Sequence, residues 1–412
     1  MERALPLLIT FARQSTRSPA LRSAVALGLG GVGFALANLL LARALSGPEF
    51  GRVSLVLSLI QVGAAFGVAG VPTLINRHRW SVTPRLLAIC TAGAAAAGLV
   101  AAWVARGFYD LSTALALLLA AAIILAALDR VAGAFFQSRE RFGVSLTLTQ
   151  SHNWLLLACV PVVFLLERTQ ATTVVAVLVI GYLAVTSFGL WLAREELQES
   201  VVVPPARGQW LAEGLSAAGL MLAGNLLFQL DRLLIGALLP LRELATYSVV
   251  AVIAGSAFRM LQVGAGYSLA PRLRSCRRKS AALRLIAAEG SLLAAMALLA
   301  ALAILLLLPW LTERFLSGRY EVTSGLVLVV ILTGLVRIWE AVMSAVVSAL
   351  GSTRELTLLS ILGWFTVALS AVCSVAAVRF GLLGVACGLG VGWCVLAIGA
   401  STLAARAWSR LA

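Results

Sequence analysis

The chain has 412 residues, 61% of them hydrophobic and 12% charged, with a formal net charge of +15. A soluble globular protein is about half apolar and about a quarter charged, so no water-soluble fold could hide this much apolar surface. The positive charge does not mark a nucleic-acid binder, because the basic residues are divided among the connections between apolar segments.

Taken in order, charge-poor runs fall at 24–45, 53–75, 86–104, 111–128, 144–166, 172–192, 215–239, 245–270, 285–311, 322–350, 356–378 and 381–404. A helix rising 1.5 Å per residue needs about 20 apolar residues to cross a hydrocarbon layer of about 30 Å. A transmembrane strand needs only about ten residues of alternating polarity, and the unbroken run 299–308 does not alternate. The expectation is an all-α integral membrane protein with about 12 transmembrane helices.

Arg3, Arg13, Arg17 and Arg22 precede the first run. No small-residue cleavage site follows a short apolar core, so the first run reads as a retained helix rather than a signal peptide. With the N-terminus inside, alternate connections and the two ends hold 21 of the 32 basic residues, including the run Arg272, Arg274, Arg277, Arg278 and Lys279. The opposite connections hold eight, among them Arg43, Arg52, Arg242 and Arg319. This asymmetry places both termini in the cytoplasm. The expected organisation is an arm (1–23), an N-terminal lobe (24–193), a linker (194–214) carrying Pro204 and Pro205, a C-terminal lobe (215–404) and a tail (405–412). No connection is long enough to be a soluble domain. The six cysteines show no pairing with His78 or His152, so they read as packing residues, with no metal or disulfide.

The chain contains an internal repeat. Between the first two runs it reads LLLARALSGPEFGRVS (39–54), and between the seventh and eighth LLIGALLPLRELATYS (233–248); the two align without a gap and pair Glu49 with Glu243 and Ser54 with Ser248. QSRER (137–141) after the fourth run resembles GSTRE (351–355) after the tenth. Both matches relate run n to run n+6. Six is even, so the two halves enter the membrane in the same sense, as a parallel repeat about an axis along the membrane normal.

The segments 40–54, 225–248 with its core DRLLIG (231–236), and RFGLLGVA (379–386) resemble the oligosaccharide and polysaccharide flippases of the multidrug/oligosaccharidyl-lipid/polysaccharide (MOP) exporter superfamily. The resemblance covers essentially the whole chain. It implies two six-helix lobes facing each other in a V, as in a MATE-like transporter, and a central cavity exposed alternately to the two sides. It also implies a lipid-linked oligosaccharide as cargo, an undecaprenyl-pyrophosphate glycan moved to the outer leaflet of a bacterial cytoplasmic membrane. Lipid II flippases of the superfamily carry arginine in the first helix, where this chain has Asn38. Drug-extruding relatives use an acidic residue in an N-lobe helix, and none lies deep in the first three runs here.

An arginine at the bilayer centre costs about 2.5–3.5 kcal/mol unless partnered or wetted. Arg259 and Arg337 fall in the middles of the eighth and tenth runs. On the eighth, Ser248, Gly255, Arg259 and Gln262 share one helical face; on the tenth, Thr333, Arg337, Glu340 and Ser344; on the seventh, Asn225, Gln229 and Arg232. A pyrophosphate diester carries about two negative charges, which guanidinium groups bind bidentately. Arg259, Arg337, Gln262, Arg232, Asn225 and Gln229 are therefore the headgroup candidates. Asn38, Gln61, Gln150 and Asn153, with Ser54 and Ser58, are the sugar candidates, and His152 points elsewhere. The alternative for Arg337 is a structural pair with Glu340 one turn away, and for Arg259 an ion pair or a solvated cavity. Asp129, Arg130 and Glu289 are expected to snorkel to the interface. Asp231, Glu340 and Glu289 are the acids to consider for H+ or Na+ coupling, with no other cofactor implied. The competing functions are a cation-coupled multidrug exporter and a membrane glycan polymerase or ligase; a polysaccharide polymerase is a candidate partner on the outer face.

Overall fold

The computed structural model describes residues 19–166, 169–194, 207–276 and 278–410. Arg3, Arg13, Arg17, Arg168, Arg277, Pro204 and Pro205 lie outside them. The first half is built from α1 (Pro19–Ala44), α2 (Gly47–Val68), α3 (Val71–His78), α4 (Pro84–Tyr109), α5 (Thr113–Ser138), α6 (Phe142–Thr149), α7 (Ser151–Leu165) and α8 (Ala171–Ala193). The second half is α9 (Arg207–Leu238), α10 (Leu241–Ser275), α11 (Lys279–Trp310), α12 (Ser324–Leu350), α13 (Thr353–Ala376) and α14 (Gly381–Ser409). Ten of the described helical stretches are long and apolar enough to cross a membrane. The pair α6 and α7 makes an eleventh, and α1 carries the apolar stretch Gly28–Ala44.

The helices begin where their unpaired N–H groups can be met. Thr83, Ser112 and Thr323 accept from the backbone N–H of Leu86, Leu115 and Leu326 at 3.2, 3.3 and 3.3 Å. Ser352 and Glu355 form a capping box on α13.

Four expected boundaries change. The second run is broken: α2 starts six residues early at Gly47 and ends at Val68, and after Ala69 (φ 23°) and Gly70 (φ 80°) the short α3 leaves in a new direction. Left-handed backbone is what glycine permits and a continuous helix forbids. The fifth run is two helices bent by 51° at Gln150. α9 begins at Arg207, inside the expected linker, and α10 extends at both ends beyond 245–270. The cysteines are free; Cys90 and Cys159 are buried as expected, whereas Cys387 and Cys394 are exposed on an apolar helix rather than packed.

The packing repeats with the sequence. In the first half α1 packs on α7, α2 on α4 and α5, α4 on α5, α5 on α8 and α7 on α8. In the second half α9 packs on α13, α10 on α11 and α12, α11 on α12, α12 on α14 and α13 on α14. Each of these six pairs of the first half thus recurs six spans later. The halves meet along α1 and α2 on one side and α9 and α10 on the other.

Helices in lipid gain little from hydrophobic burial against one another, so close approach through small residues has to hold them. Gly388 and Gly392 on α14 do this against α13, and Gly384, four residues earlier, against the connection between them at Ala377 and Phe380. A Cβ on Gly388 would lie 2.6 Å from the Ser374 amide nitrogen. By contrast, α11 is rich in leucine and leaves Leu298, Leu299 and Leu306 exposed to the surrounding lipid.

At the end away from the termini the halves are sewn together. The Ser54 and Ser248 hydroxyls are hydrogen-bonded at 2.7 Å. These are the two residues that the repeat pairs, and a residue can touch its own symmetry mate only on the symmetry axis. Nearby, a Cβ on Gly51 would fall 2.2 Å from the Leu241 carbonyl oxygen. The Tyr109 hydroxyl donates to the Leu233 carbonyl at 3.1 Å. From the α11–α12 connection, Tyr320 Oη donates to the Ala42 carbonyl at 2.8 Å and Arg319 Nη1 to the Arg43 carbonyl at 3.0 Å.

Two measurements check this arrangement. Gly388→Ala puts a methyl against backbone that cannot turn aside, and overpacking of this kind costs about 1–3 kcal/mol; a thermal melt of the purified protein should show the loss. In a background without the natural cysteines, Ser54→Cys with Ser248→Cys should form a disulfide under mild oxidation. Intact mass after maleimide treatment should show both thiols blocked from labelling, and free labelling of both would contradict the axial placement.

Candidate functional site

A cavity of about 730 Å³ lies between the halves. It runs from Asn38, Ser54 and Tyr247 near the sewn end to Arg272 in the last turn of α10. The second half supplies its charge. Gln229 and Arg232 from α9, Gly255, Arg259 and Gln262 from α10, and Thr333 and Arg337 from α12 all line it. The polar stripes expected on the seventh, eighth and tenth spans therefore converge in one place. The first half supplies amides and hydroxyls: Asn38, Ser54, Ser58, Gln61, Gln150 and Asn153.

Three candidates fall elsewhere. Asn225 does not line the cavity, and its side-chain amide donates to the Met221 carbonyl one turn back at 2.9 Å. Glu289 forms an ion pair with Arg272. Glu340 makes no ion pair with Arg337 among the described residues, although the two charges attract; it accepts from Ser344 Oγ at 2.5 Å and from the Gln262 amide, and lies off the cavity. Its offset of three residues from Arg337 put both on one face in projection, but the carboxylate turns along the helix to Ser344. Asp231 does line the cavity, already engaged by Tyr247 Oη at 2.8 Å and the Arg232 amide at 2.8 Å.

Neither Arg259 nor Arg337 makes an ion pair with any described residue. Each guanidinium instead stacks on an aromatic ring. Arg259 Cζ lies 5.4 Å from the centroid of Phe228, and Arg337 Cζ 4.5 Å from that of Trp393. The two rings are 5.7 Å apart and tilted by 58°. Such cation–π contacts contribute about 0.5–2 kcal/mol, more as water is excluded. Arg337 Nε is buried and finds no acceptor among the described residues. Arg232 and Arg337 both repel Arg259, and Asp231 offsets part of that repulsion.

The first half departs from expectation more. Asp129 and Arg130 do not snorkel to the interface. Asp129 is buried, and Thr186 Oγ1 of α8 donates to its Oδ1 at 2.8 Å. Arg130 Nη2 points inward to Gln61, at 2.6 Å from Oε1 and 3.2 Å from the carbonyl. Ionisable groups this far from a helix end can stay in the bilayer because they partner one another's neighbours. Gln61 is thus held by Arg130 while lining the cavity. His152 also lines it, contrary to expectation: the bend at Gln150 turns the start of α7 so that Gln150, His152 and Asn153 all reach the cavity. Asn153 Nδ2 donates to Gln150 Oε1 at 2.7 Å.

Sequence reading missed Phe228, Tyr247 and Trp393. Phe228 sits four residues before Arg232 and directly beside Gln229, so its helical offset carried a signal. Trp393 had none, because its partners come from α9 and α12.

No protein-family model and no curated protein matches the sequence. Solved structures do. The chain superposes on the lipid II flippase MurJ in an inward closed conformation with a TM-score of 0.71 at 10% identity, covering 95% of this chain and 90% of that one. On an inward-facing multidrug resistance MATE family transporter of the MOP superfamily the TM-score is 0.67 at 13% identity, with 94% and 98% covered. On an outward-facing MATE transporter it is 0.57 at 15% identity, with 97% and 98% covered. Two parallel six-span lobes, a polar cavity between them and these superpositions together show that the chain is a multi-pass membrane protein with the fold that these MATE and MurJ structures share.

Proposed function

We propose that the chain flips an undecaprenyl-pyrophosphate-linked oligosaccharide from the inner to the outer leaflet of a bacterial cytoplasmic membrane, for export of cell-surface polysaccharide. The observation that carries this reading is the sign of the cavity. Arg232, Arg259, Arg272 and Arg337 line it, and the one carboxylate among its lining residues, Asp231, already accepts two hydrogen bonds. A cavity built this way attracts an anion and repels a cationic drug. A pyrophosphate presents several oxygens that guanidinium edges bind in pairs, without any proton leaving the arginine.

The size and the division of labour fit the same cargo. A volume of 730 Å³ lies within the range of about 300–1,000 Å³ usual for small-molecule sites, enough for the headgroup and the first sugars. Asn38, Gln61, Gln150 and Asn153 face the arginines from the other lobe and suit sugar hydroxyls.

With both termini cytoplasmic, the cavity is loaded from the cytoplasmic leaflet, and release needs the sewn end to part. The reading uses no cofactor. If H+ or Na+ drives the cycle, Asp231 is the acid of the three candidates that the cavity reaches. A polysaccharide polymerase is the partner class that would take the product on the far side.

The test is glycan export in a strain lacking the protein, complemented with variants. Charge-assisted hydrogen bonds contribute about 1.5–3 kcal/mol each, so Arg259→Gln with Arg337→Gln should reduce export at least about ten-fold. Removing charge from the bilayer eases insertion, so membrane levels should hold. Full export by the double variant overturns the headgroup role. Drug resistance on overexpression, abolished by Asp231→Asn, would favour the multidrug exporter instead.

A further inference from the structure

The cavity arginines are held in an unusual way. A guanidinium is a flat group with two faces and an edge of five N–H donors. A carboxylate partner takes the edge and uses up the donors. An aromatic ring takes a face and leaves the edge free. In this protein both central arginines lie over rings and not against carboxylates, Arg259 over Phe228 and Arg337 over Trp393. The carboxylate one turn from Arg337 accepts from Ser344 and Gln262 and makes no ion pair with that guanidinium among the described residues.

We propose that Trp393 and Phe228 are positioning residues, which hold Arg337 and Arg259 by their faces so that the guanidinium edges remain free for a diphosphate. The proposal rests on the headgroup reading above and adds residues that reading does not need. A second observation points the same way. Arg337 Nε is buried and has no acceptor among the described residues, and a buried unpaired donor is a standing energetic penalty unless a ligand relieves it. The rings are themselves built in: Trp393 is 2% exposed and comes from α14, Phe228 comes from α9, and they pack on each other at 5.7 Å. Four helices of one lobe, α9, α10, α12 and α14, therefore meet in one cluster of two cations over two rings that pack at a tilt of 58°. A cluster of this kind restricts the direction in which each edge points, which a flexible side chain in water would not do.

The experiment is calorimetric titration of the full-length protein, in nanodiscs of zwitterionic lipid, with inorganic pyrophosphate and with sulfate at matched ionic strength. The wild type should bind pyrophosphate in preference to sulfate. Trp393→Phe keeps a ring under Arg337 and should bind within about three-fold of wild type. Trp393→Leu removes the ring and should weaken pyrophosphate binding about ten-fold, about 1.4 kcal/mol, and reduce the preference over sulfate. Thermal melts of both variants separate this from loss of fold, and if Trp393→Leu does not fold, Phe228→Leu against Phe228→Tyr makes the same comparison under Arg259. Wild-type binding that Trp393→Leu and Phe228→Leu leave unchanged overturns the positioning role and spares the headgroup reading. Equal weakening by Trp393→Phe and Trp393→Leu also overturns it, because the ring would then not be what matters. A wild type that does not bind pyrophosphate overturns the headgroup reading and this proposal together.

Discussion

Inside a hydrocarbon layer there is no water to meet a stray amide, so every backbone donor and acceptor must find its partner in the chain or in a wet cavity. That constraint makes each span helical and decides where helices are allowed to fail. The bend between α6 and α7 falls at Gln150, where the chain borders the cavity. It also explains the closure of the far end. The last carbonyls of a helix have no intrahelical donor, and for α1 the Ala42 and Arg43 carbonyls are met by Tyr320 and Arg319 from the other half. Shutting that end of the cavity and capping α1 are one event. On the proposed reading the halves part there and water enters as the new donor, so the exchange trades one set of hydrogen bonds for another of similar strength.

Charge is the second consequence of the same medium. An arginine left in the bilayer must be paired, wetted or stacked, and this chain uses a different solution in each half. In the first half Arg130 donates to Gln61, and Asp129 accepts from Thr186 through one of its two oxygens. In the second half Arg259 and Arg337 keep their donors and rest on rings. The repeat that relates the halves in packing therefore does not relate them in electrostatics. One lobe has spent its polar groups on itself and presents amides; the other presents cations.

Much of this was legible in the sequence, for identifiable reasons. The spans were readable because helix length is set by bilayer thickness, and the repeat because 39–54 and 233–248 align without a gap. Arg259, Gln262, Arg337, Gln229 and Arg232 were placed together because helical offsets of three, four and seven are a property of one helix alone. What failed needed information from two helices. Glu340 shares the face of Arg337 but bonds to Ser344. Asp129 looked close enough to a helix end to snorkel, yet Thr186 of α8 holds it inside. His152 was assigned to the wrong face because its offset was counted on a straight helix, and the helix bends at the residue two places earlier. Trp393 is invisible to any count along one helix, since its role exists only where α9, α12 and α14 converge.

The asymmetry of the lobes bears on how such a cavity can discriminate. On the proposed reading, a pyrophosphate headgroup satisfies the cationic lobe alone and gains nothing from the other. Only a cargo that also carries hydroxyl groups reaches across to Asn38, Gln61, Gln150 and Asn153, and only that cargo draws the two lobes toward each other at the loaded end. A ligand shifts a conformational equilibrium no further than its difference in affinity for the two states. A bare phosphate, bound equally well by one lobe in either state, would therefore occupy the site without moving the protein. Binding strength is set by the arginines of one half, while the drive to change conformation is set by contacts that span the axis marked by Ser54 and Ser248.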